Sequence, residues 1–304
     1  MKDDQASITA YTVLQGVLFT ATKPGFETLV EESTCKACRK VLSASAEGQK
    51  RLRQLDSTLF RTLAPMMEKA ILPGITLHYV LRKRYIRDAA EKAIAEGFTQ
   101  IVNLGAGFDT LTWELHSQYS DVNFIELDHP ATSTQKQKTL TDDAGDNLHL
   151  LEVDFSKTDA KAALNEFSGF DARRNTFYIC EGVLMYLDIS DVERLFKVLK
   201  ELTNTRTRFV FSCVAPMSSK ETNCGWLLKL YLMIKSEPLN WEIEQQAVEA
   251  FVDTQGYQLT DLAGTDQLKA RYLKGMNHGT LHRGEYLVQT DVIRDAAGES
   301  QDAH

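Results

Sequence analysis

In the stretch "QIVNLGAGFDT", residues 100–110, Gly105 and Gly107 follow an apolar run and precede Asp109. Glycines at that spacing let the chain turn sharply and let a ligand approach the main chain with no Cβ atoms in the way. A dinucleotide fingerprint would place a third glycine where Thr110 stands, and it would aim a helix start at a pyrophosphate that the Asp109 carboxylate repels. About twenty residues further on, the distance at which a ribose-binding acid is looked for, "FIELDHP" offers Glu126 and Asp128, either of which suits a pair of ribose hydroxyls. The combination describes a nucleoside without phosphates, and S-adenosylmethionine fits it. A third acid, Asp154 in "LLEVDFS", suits an adenine edge together with the Phe155 backbone, and the Phe155 ring suits the adenine face. The plainer reading of Asp154 is a residue that starts a turn.

Such residues need strand tips to hold them. From residue 81 the pattern alternates between strand and helix, as in a parallel sheet with crossover helices. "RYIRDAAEKAIAEG" places Ile86, Ala89, Ala90, Ala93 and Ile94 on one helical face and stops at Gly97. "QIVNL", "VNFIEL", "LHLLEV", "TFYICE" and "RFVFSCV" read as five short, mostly buried strands. Between the last two, "SDVERLFKVLKEL" predicts a helix opened by a capping box of Ser190 and Glu193, with Val192, Leu195, Phe196 and Leu199 toward the sheet. A helical segment carrying Trp226, Leu227, Leu230, Tyr231 and Trp241 then precedes the strands "YQLTDLA" and "GEYLVQTDV". Seven strands ending in a hairpin-like pair predict a methyltransferase-type, Rossmann-like α/β sheet rather than a six-stranded nicotinamide sheet. Strand order is not legible.

Residues 1–80 predict a helical cap, with a stripe at Leu52, Leu55, Leu59 and Leu63 and a break at "LPGI", residues 72–75. The cofactor domain is expected over 81–293, with a helical acceptor lid at about 216–255 and a disordered tail from 294. Forty-two acidic against 34 basic side chains, net −8, offer no general attraction for nucleic acid or anionic lipid. The run "WLLKLYLMIK" is interrupted by Lys229 and is about half the ~20 residues that cross a bilayer. Five cysteines, an odd number, and no export signal predict reduced thiols in the cytoplasm. Cys35 and Cys38 form a CxxC that no second pair or nearby histidine completes, so they read as helix thiols and no metal is expected. His278 and His282 are four apart but flanked by Gly279 and Gly284, which favours a turn over a paired site.

With these residues assembled, the chain resembles the leucine carboxyl methyltransferase family of class I S-adenosylmethionine-dependent methyltransferases, including its bacterial small-molecule branch. The matching pieces are "LRKRYIRD", "QIVNLGAGFDT", "ELDHP", "LLEVDF", "FYICEGVLMYL" and "SEPLNW", in family order from about residue 79 to 242. The resemblance implies that Arg82, with Arg84 as second candidate, pairs with the methionine carboxylate of the cofactor through a bidentate fork. It further implies that Gly105, Ala106 and Gly107 line the methionine moiety, Asp128 with neighbouring His129 the ribose, and Asp154 with Phe155 the adenine. Glu181 is then expected to approach the cofactor's amino group and Tyr186 to face the acceptor. Two departures stand out: Arg87 occupies a position where the family usually has an aspartate, and "LVEEST" replaces an acidic stretch near residue 30.

The implied reaction is methyl transfer to an oxygen, foremost a carboxylate of a small molecule. A carboxylate is already ionised at neutral pH and needs no general base, so Glu181 and Tyr186 are expected to position rather than to deprotonate. A hydroxyl acceptor would raise the standing of His129 as a base. Trp226, Tyr231 and Trp241 suit either an apolar lid or a core. A protein C-terminal carboxylate as acceptor, a non-catalytic cofactor-binding protein and a nicotinamide-dependent oxidoreductase remain as alternatives. The expected state is a monomer or homodimer.

Overall fold

The computed structural model describes residues 8–140, 145–155, 157–224 and 239–294. The expectations for Trp226, Leu227, Leu230, Tyr231 and the tail beyond Arg294 lie outside the described residues. Seven strands form one sheet in the order β3-β2-β1-β4-β5-β7-β6. They are β1 Gln100–Leu104, β2 Asn123–Asp128, β3 Leu148–Glu152, β4 Thr176–Cys180, β5 Thr207–Val214, β6 Tyr257–Ala263 and β7 Glu285–Val292. β1 to β5 pair in parallel, and β7 runs antiparallel between β5 and β6. The sheet thus has the class I methyltransferase arrangement that the sequence predicts, late hairpin-like pair included. Strand order reverses between β1 and β4, and the crevice outside the carboxyl ends there is where open α/β sheets bind ligands.

Alternation along β4 shows how the sheet divides the interior. Tyr178 and Cys180 enter one cluster while Phe177 and Ile179 enter the cluster on the opposite face. The first face is filled with aromatic rings: Phe196 meets Phe209, Phe211, Phe251 and Tyr257 edge-on at 5.2 to 5.5 Å. β3 is only partly buried, against expectation, because it is the edge strand beside β2 alone. Phe196 sits on the helix Ile189–Leu202, where Val192 and Leu199 are also fully buried. That helix is capped at Asp188 without a side-chain bond, so Ser190 lies inside it and the expected capping box with Glu193 is not formed.

On the other face, α5 runs from Ile75 to Ala95, across residue 80, and buries Ile86, Ala89, Ala90 and Ala93. It ends at Glu96, and Gly97 then takes a φ of 89°. Before it come α1 Ile8–Ala21, α2 Glu32–Ser43, α3 Ala46–Asp56 and α4 Thr58–Ile71. α1 packs Leu14, Val17 and Leu18 against Cys38, Val41 and Leu42 of α2 and Tyr79 and Val80 of α5. The leucine stripe predicted across α3 and α4 does not hold. Ser57 breaks the helix by capping α4, Leu55 stays buried, and Leu59 and Leu63 turn outward at 70% and 44% exposure.

These positions make opposite predictions about stability. Phe196→Ala is expected to cost about 3–5 kcal/mol, because it empties a fully buried ring site. Met66→Gln, on the exposed face of α4, should change it by less than ~0.5 kcal/mol. Urea unfolding of both variants checks the pair.

Candidate functional site

β1 ends at Leu104, and the chain then turns through Gly105 and Gly107 with φ of 64° and 53°. Both values lie in the left-handed region that glycine tolerates without strain. A Cβ on Gly105 would stand 2.5 Å from Cγ2 of Val183, so the turn is also pressed against the loop after β4. The Gly105 N–H donates to the Leu127 carbonyl at 2.8 Å, which ties the turn to β2. The Gly107 N–H donates to Oδ2 of Asp128 at 2.6 Å, and the His129 N–H donates to Oδ1 at 2.7 Å. Each Asp128 oxygen therefore takes one main-chain donor and keeps further acceptor capacity. Burial raises the Asp128 pKa, against the pull of those two N–H groups and Lys136.

Glu126, the other sequence candidate for a ribose, is committed elsewhere. It is buried against Lys136 at 2.5 Å and accepts from the Thr112 hydroxyl. Asp128 alone of the two meets the glycine turn. Above this turn lies α1, with Tyr11 edge-on to Phe108 at 4.8 Å. His129 is followed by Pro130 at the first position of the helix Pro130–Leu140, which proline favours.

A chain of buried charges extends from the turn. Asp109 accepts from Lys83 Nζ at 2.8 Å and from Asn103 Nδ2 at 3.1 Å. Burial would raise its pKa, but Lys83 and Lys136 outweigh that and lower it. The helix after the turn, Leu111–Leu115, begins two residues later with Thr110 as its cap. Lys83 also reaches Oε2 of Glu181 at 3.3 Å, while Arg82 Nε donates to Oε1 of Glu181 at 2.7 Å. Arg82 Nη1 donates to Oε1 of Glu285 at 2.5 Å, and His78 Nε2 stands 3.0 Å from Oε2 of the same carboxylate. Two of the three Arg82 nitrogens are thus held by protein carboxylates. The third, Nη2, lies 4.0 Å from where a Cβ on Gly182 would stand.

Arg84 points elsewhere. It is half exposed and pairs with Glu31 at 3.2 Å and Asp88 at 3.0 Å. The two departures noted in the sequence prove to be one network: Arg87 is buried and contacts Glu114, Glu31 and Glu91, and Ser33 and Thr34 donate to Glu114 at 3.2 and 2.7 Å. These groups fasten α2 to the helix Leu111–Leu115. A cavity of about 40 Å³ lies among them, lined in part by Lys83, Arg87, Asp109, Glu114 and Glu181.

Asp154 and Phe155 sit beyond β3. Asp154 pairs with Lys157 at 2.8 Å, and Phe155 is 45% exposed, with its ring available to a ligand. Tyr186 ends a short 3-10 turn, Leu184–Tyr186, against which the chain returns from the far side. Asn240 N donates to the Met185 carbonyl at 2.8 Å, and Asn240 Nδ2 to the Tyr186 carbonyl at 3.0 Å. Trp241 is buried in the core beside Phe251 and stands outside any helix, so for this residue the core reading holds. Cys35 and Cys38 lie on α2, unlinked. Among the described residues no cluster of histidine, cysteine or acid suits a metal, and no helix is long and apolar enough to cross a membrane. His278 is partly buried, whereas His282 is buried with its ring 5.1 Å from that of His78.

Lys83 and Glu285 went unread in the sequence. Lys83 sits inside "LRKRYIRD" between two arginines, and Glu285 inside "GEYLVQTDV", where an acid at a strand start carries no local signal.

Comparison with known proteins follows the same outline. A family model described as leucine carboxyl methyltransferase matches residues 27–200, more than half of the chain. A protein of Mycolicibacterium gilvum named "Putative S-adenosyl-L-methionine-dependent methyltransferase" is 31% identical over 153 residues, 49% of this chain and 48% of that protein. One of the same name in Mycobacteroides abscessus is 30% identical over 148 residues, 47% of this chain and 45% of that protein. The chain spans about half the length of the curated relatives it matches. Among solved structures, magnesium protoporphyrin IX methyltransferase of Synechocystis has a TM-score of 0.45 at 12% identity, over 71% of this chain and 85% of that one. Mitomycin 7-O-methyltransferase has a TM-score of 0.42 at 12% identity, over 90% and 70%.

The buried histidine gives the network an acid-side signature. Burial and the neighbouring His78 lower the His282 pKa to about 3 from 6.5. Below pH 6.5 the unfolded chain takes up a proton that native His282 refuses, so stability present above that pH is lost as pH falls toward 3. Between pH 6 and 5 this one group is expected to contribute a slope approaching about 1.4 kcal/mol per pH unit. Urea unfolding at several pH values should show a shallower acid slope in His282→Gln; equal slopes would contradict the assignment.

Proposed function

The chain belongs to the leucine carboxyl methyltransferase family, and from that premise we propose that it transfers a methyl group from S-adenosylmethionine to an oxygen of a small molecule, most favourably a carboxylate. The observation that carries this reading is the joining of the glycine turn to Asp128 by the Gly107 N–H, at the point where the sheet reverses order. The residues present fit such a donor. An added Cβ on Gly107 would make an ordinary 3.8 Å contact with Cβ of Ala10 on α1, so α1 borders the turn without pressing on it. Asp128 offers acceptors for two hydroxyls, Asp154 and the exposed Phe155 ring suit an adenine, and Arg82 and Glu181 suit the two charges of an amino acid. The ionised Asp109 disfavours a pyrophosphate, which counts against a nicotinamide dinucleotide.

When bound, the donor supplies a methyl group on a sulfonium, already activated for displacement. The chain's task is to orient and to exclude water. Gly105, Ala106 and Gly107 would bring main-chain groups to the methionine portion, and Arg82 would hold its carboxylate. Arg82 Nε and Nη1 are already engaged with Glu181 and Glu285, so the contact we propose is a single donation from Nη2 rather than the bidentate fork that the family resemblance implies. Arg84, turned toward Glu31 and Asp88, is the weaker candidate. His129 would border the ribose, and Glu181 would face the amino group. Tyr186, fixed through its carbonyl by Asn240, would face the acceptor. A carboxylate acceptor needs no base, in keeping with a strand-end region whose acids are mostly paired with cations.

The test is calorimetric binding of S-adenosylhomocysteine. Asp128→Ala and Arg82→Ala are each expected to weaken it ~10- to 100-fold, the range for losing hydrogen bonds to a charged group; normal affinity in both would remove the assigned site. Release of S-adenosylhomocysteine against carboxylic acids, phenols and C-terminal peptides, with the methyl located by mass spectrometry, identifies the acceptor class. Tight binding with no release across the panel would favour a non-catalytic role.

A further inference from the structure

Glu285 opens β7 and is drawn to Arg82 from 203 positions away. Its carboxylate is buried, with Oε1 on Arg82 Nη1 at 2.5 Å and Oε2 facing His78 Nε2 at 3.0 Å. His78 and Arg82 are one turn apart on α5, so the single carboxylate at the start of β7 lies within ion-pair distance of both. Burial would raise the Glu285 pKa, but Arg82 and His78 hold it far below the ordinary carboxylate range. A buried ionised acid is retained where its partners are well placed, and it fixes their geometry in return.

That geometry decides which guanidinium edge is available. Nε and Nη2 lie along one edge of the fork, the edge a carboxylate takes up in a bidentate pair. Glu181 meets that edge at Nε alone. Glu285 draws on the opposite corner, Nη1. Without that second pull the guanidinium is free to turn in its plane and give both Nε and Nη2 to Glu181, withdrawing Nη2 from the turn at Gly182. Lys83 does not prevent this, because its ammonium holds Glu181 through the other oxygen, Oε2.

We propose that Glu285 is a positioning residue for the amino-acid end of the donor: braced by His78, it keeps Arg82 Nη2 turned toward the Gly182 loop for the donor carboxylate. The inference rests on the reading that Arg82 receives that carboxylate. It also separates two parts of the ligand, since adenosine would be held by Asp128 and Asp154, at the ends of β2 and β3, whereas Glu285 contacts Arg82 and His78.

The experiment compares S-adenosylhomocysteine with 5′-methylthioadenosine, which shares the nucleoside and thioether but lacks the amino acid. Calorimetry on the full chain is run for wild type, Glu285→Gln, His78→Gln and Arg82→Ala, alongside the thermal midpoint of each. Glu285→Gln is expected to weaken S-adenosylhomocysteine about tenfold while 5′-methylthioadenosine stays within about twofold. His78→Gln should show the same selectivity at about threefold, and it supplies the reading if Glu285→Gln does not fold. Equal loss of both ligands would mean a merely structural role and overturn the proposal. So would unchanged S-adenosylhomocysteine affinity in Glu285→Gln where Arg82→Ala loses it. If Arg82→Ala itself binds both ligands normally, the carboxylate assignment to Arg82 fails, and the role of Glu285 falls with it.

Discussion

The site depends on pairing charges that have been taken out of water. Arg82, buried, and Lys83, mostly buried, are adjacent on α5 and sit among Glu181, Asp109 and Glu285, which come from three separate parts of the sheet region. Each of these ions alone would be costly to bury by several kcal/mol, and together they are tolerable only in one arrangement. That requirement locks α5 against the ends of β1, β4 and β7, and it locates the crevice. A second buried pair, Lys136 with Glu126, does the same beneath β2. The glycine turn lies between the two pairs, with its main-chain donors on Asp128.

Packing supports this electrostatic frame from both sides. Aromatic rings gathered about Phe196 fill one face of the sheet, and the alanine-rich face of α5 closes the other. Small residues at Ala89, Ala90 and Ala93 let α5 approach the strands closely, which brings its N-terminal half, with His78, Arg82 and Lys83, to the strand tips. The N-terminal helices fit over the same end. Arg87 and the acids and hydroxyls around it join α2 to the helix that follows the glycine turn.

What was legible in the sequence follows from locality. Strands, the late pair, the glycine turn and Asp128 all carry short-range signals: apolar runs, positive-φ residues, an acid at a strand end. Residues whose meaning comes from distant partners were opaque. Glu285 and Lys83 were missed because their partners are far apart in the chain, and Glu126 could not be told from Asp128 because both lie on the same face of β2. The mostly buried β3 was misjudged because exposure depends on strand order, which no local pattern encodes. The capping box failed because the helix is capped two residues earlier, at Asp188, and the leucine stripe failed because Ser57 starts a new helix in its middle. The departures at Arg87 and residues 31–34 read as two anomalies and are one contact network.

The antiparallel insertion of β7 between β5 and β6 bears on how the polypeptide is made. Every earlier strand can be synthesised while the ladder slot beside β5 stays open, since β6 borders only β7. A chain growing on the ribosome therefore carries Arg82 for some 200 further residues before Glu285 arrives to meet it. During that interval Glu181 is the one carboxylate of the pair available to the guanidinium, which also lies over the Tyr79 ring. Domains fold largely as units during synthesis, and here the contact between Glu285 and Arg82 can form only once the late strand β7 has emerged and entered the slot beside β5.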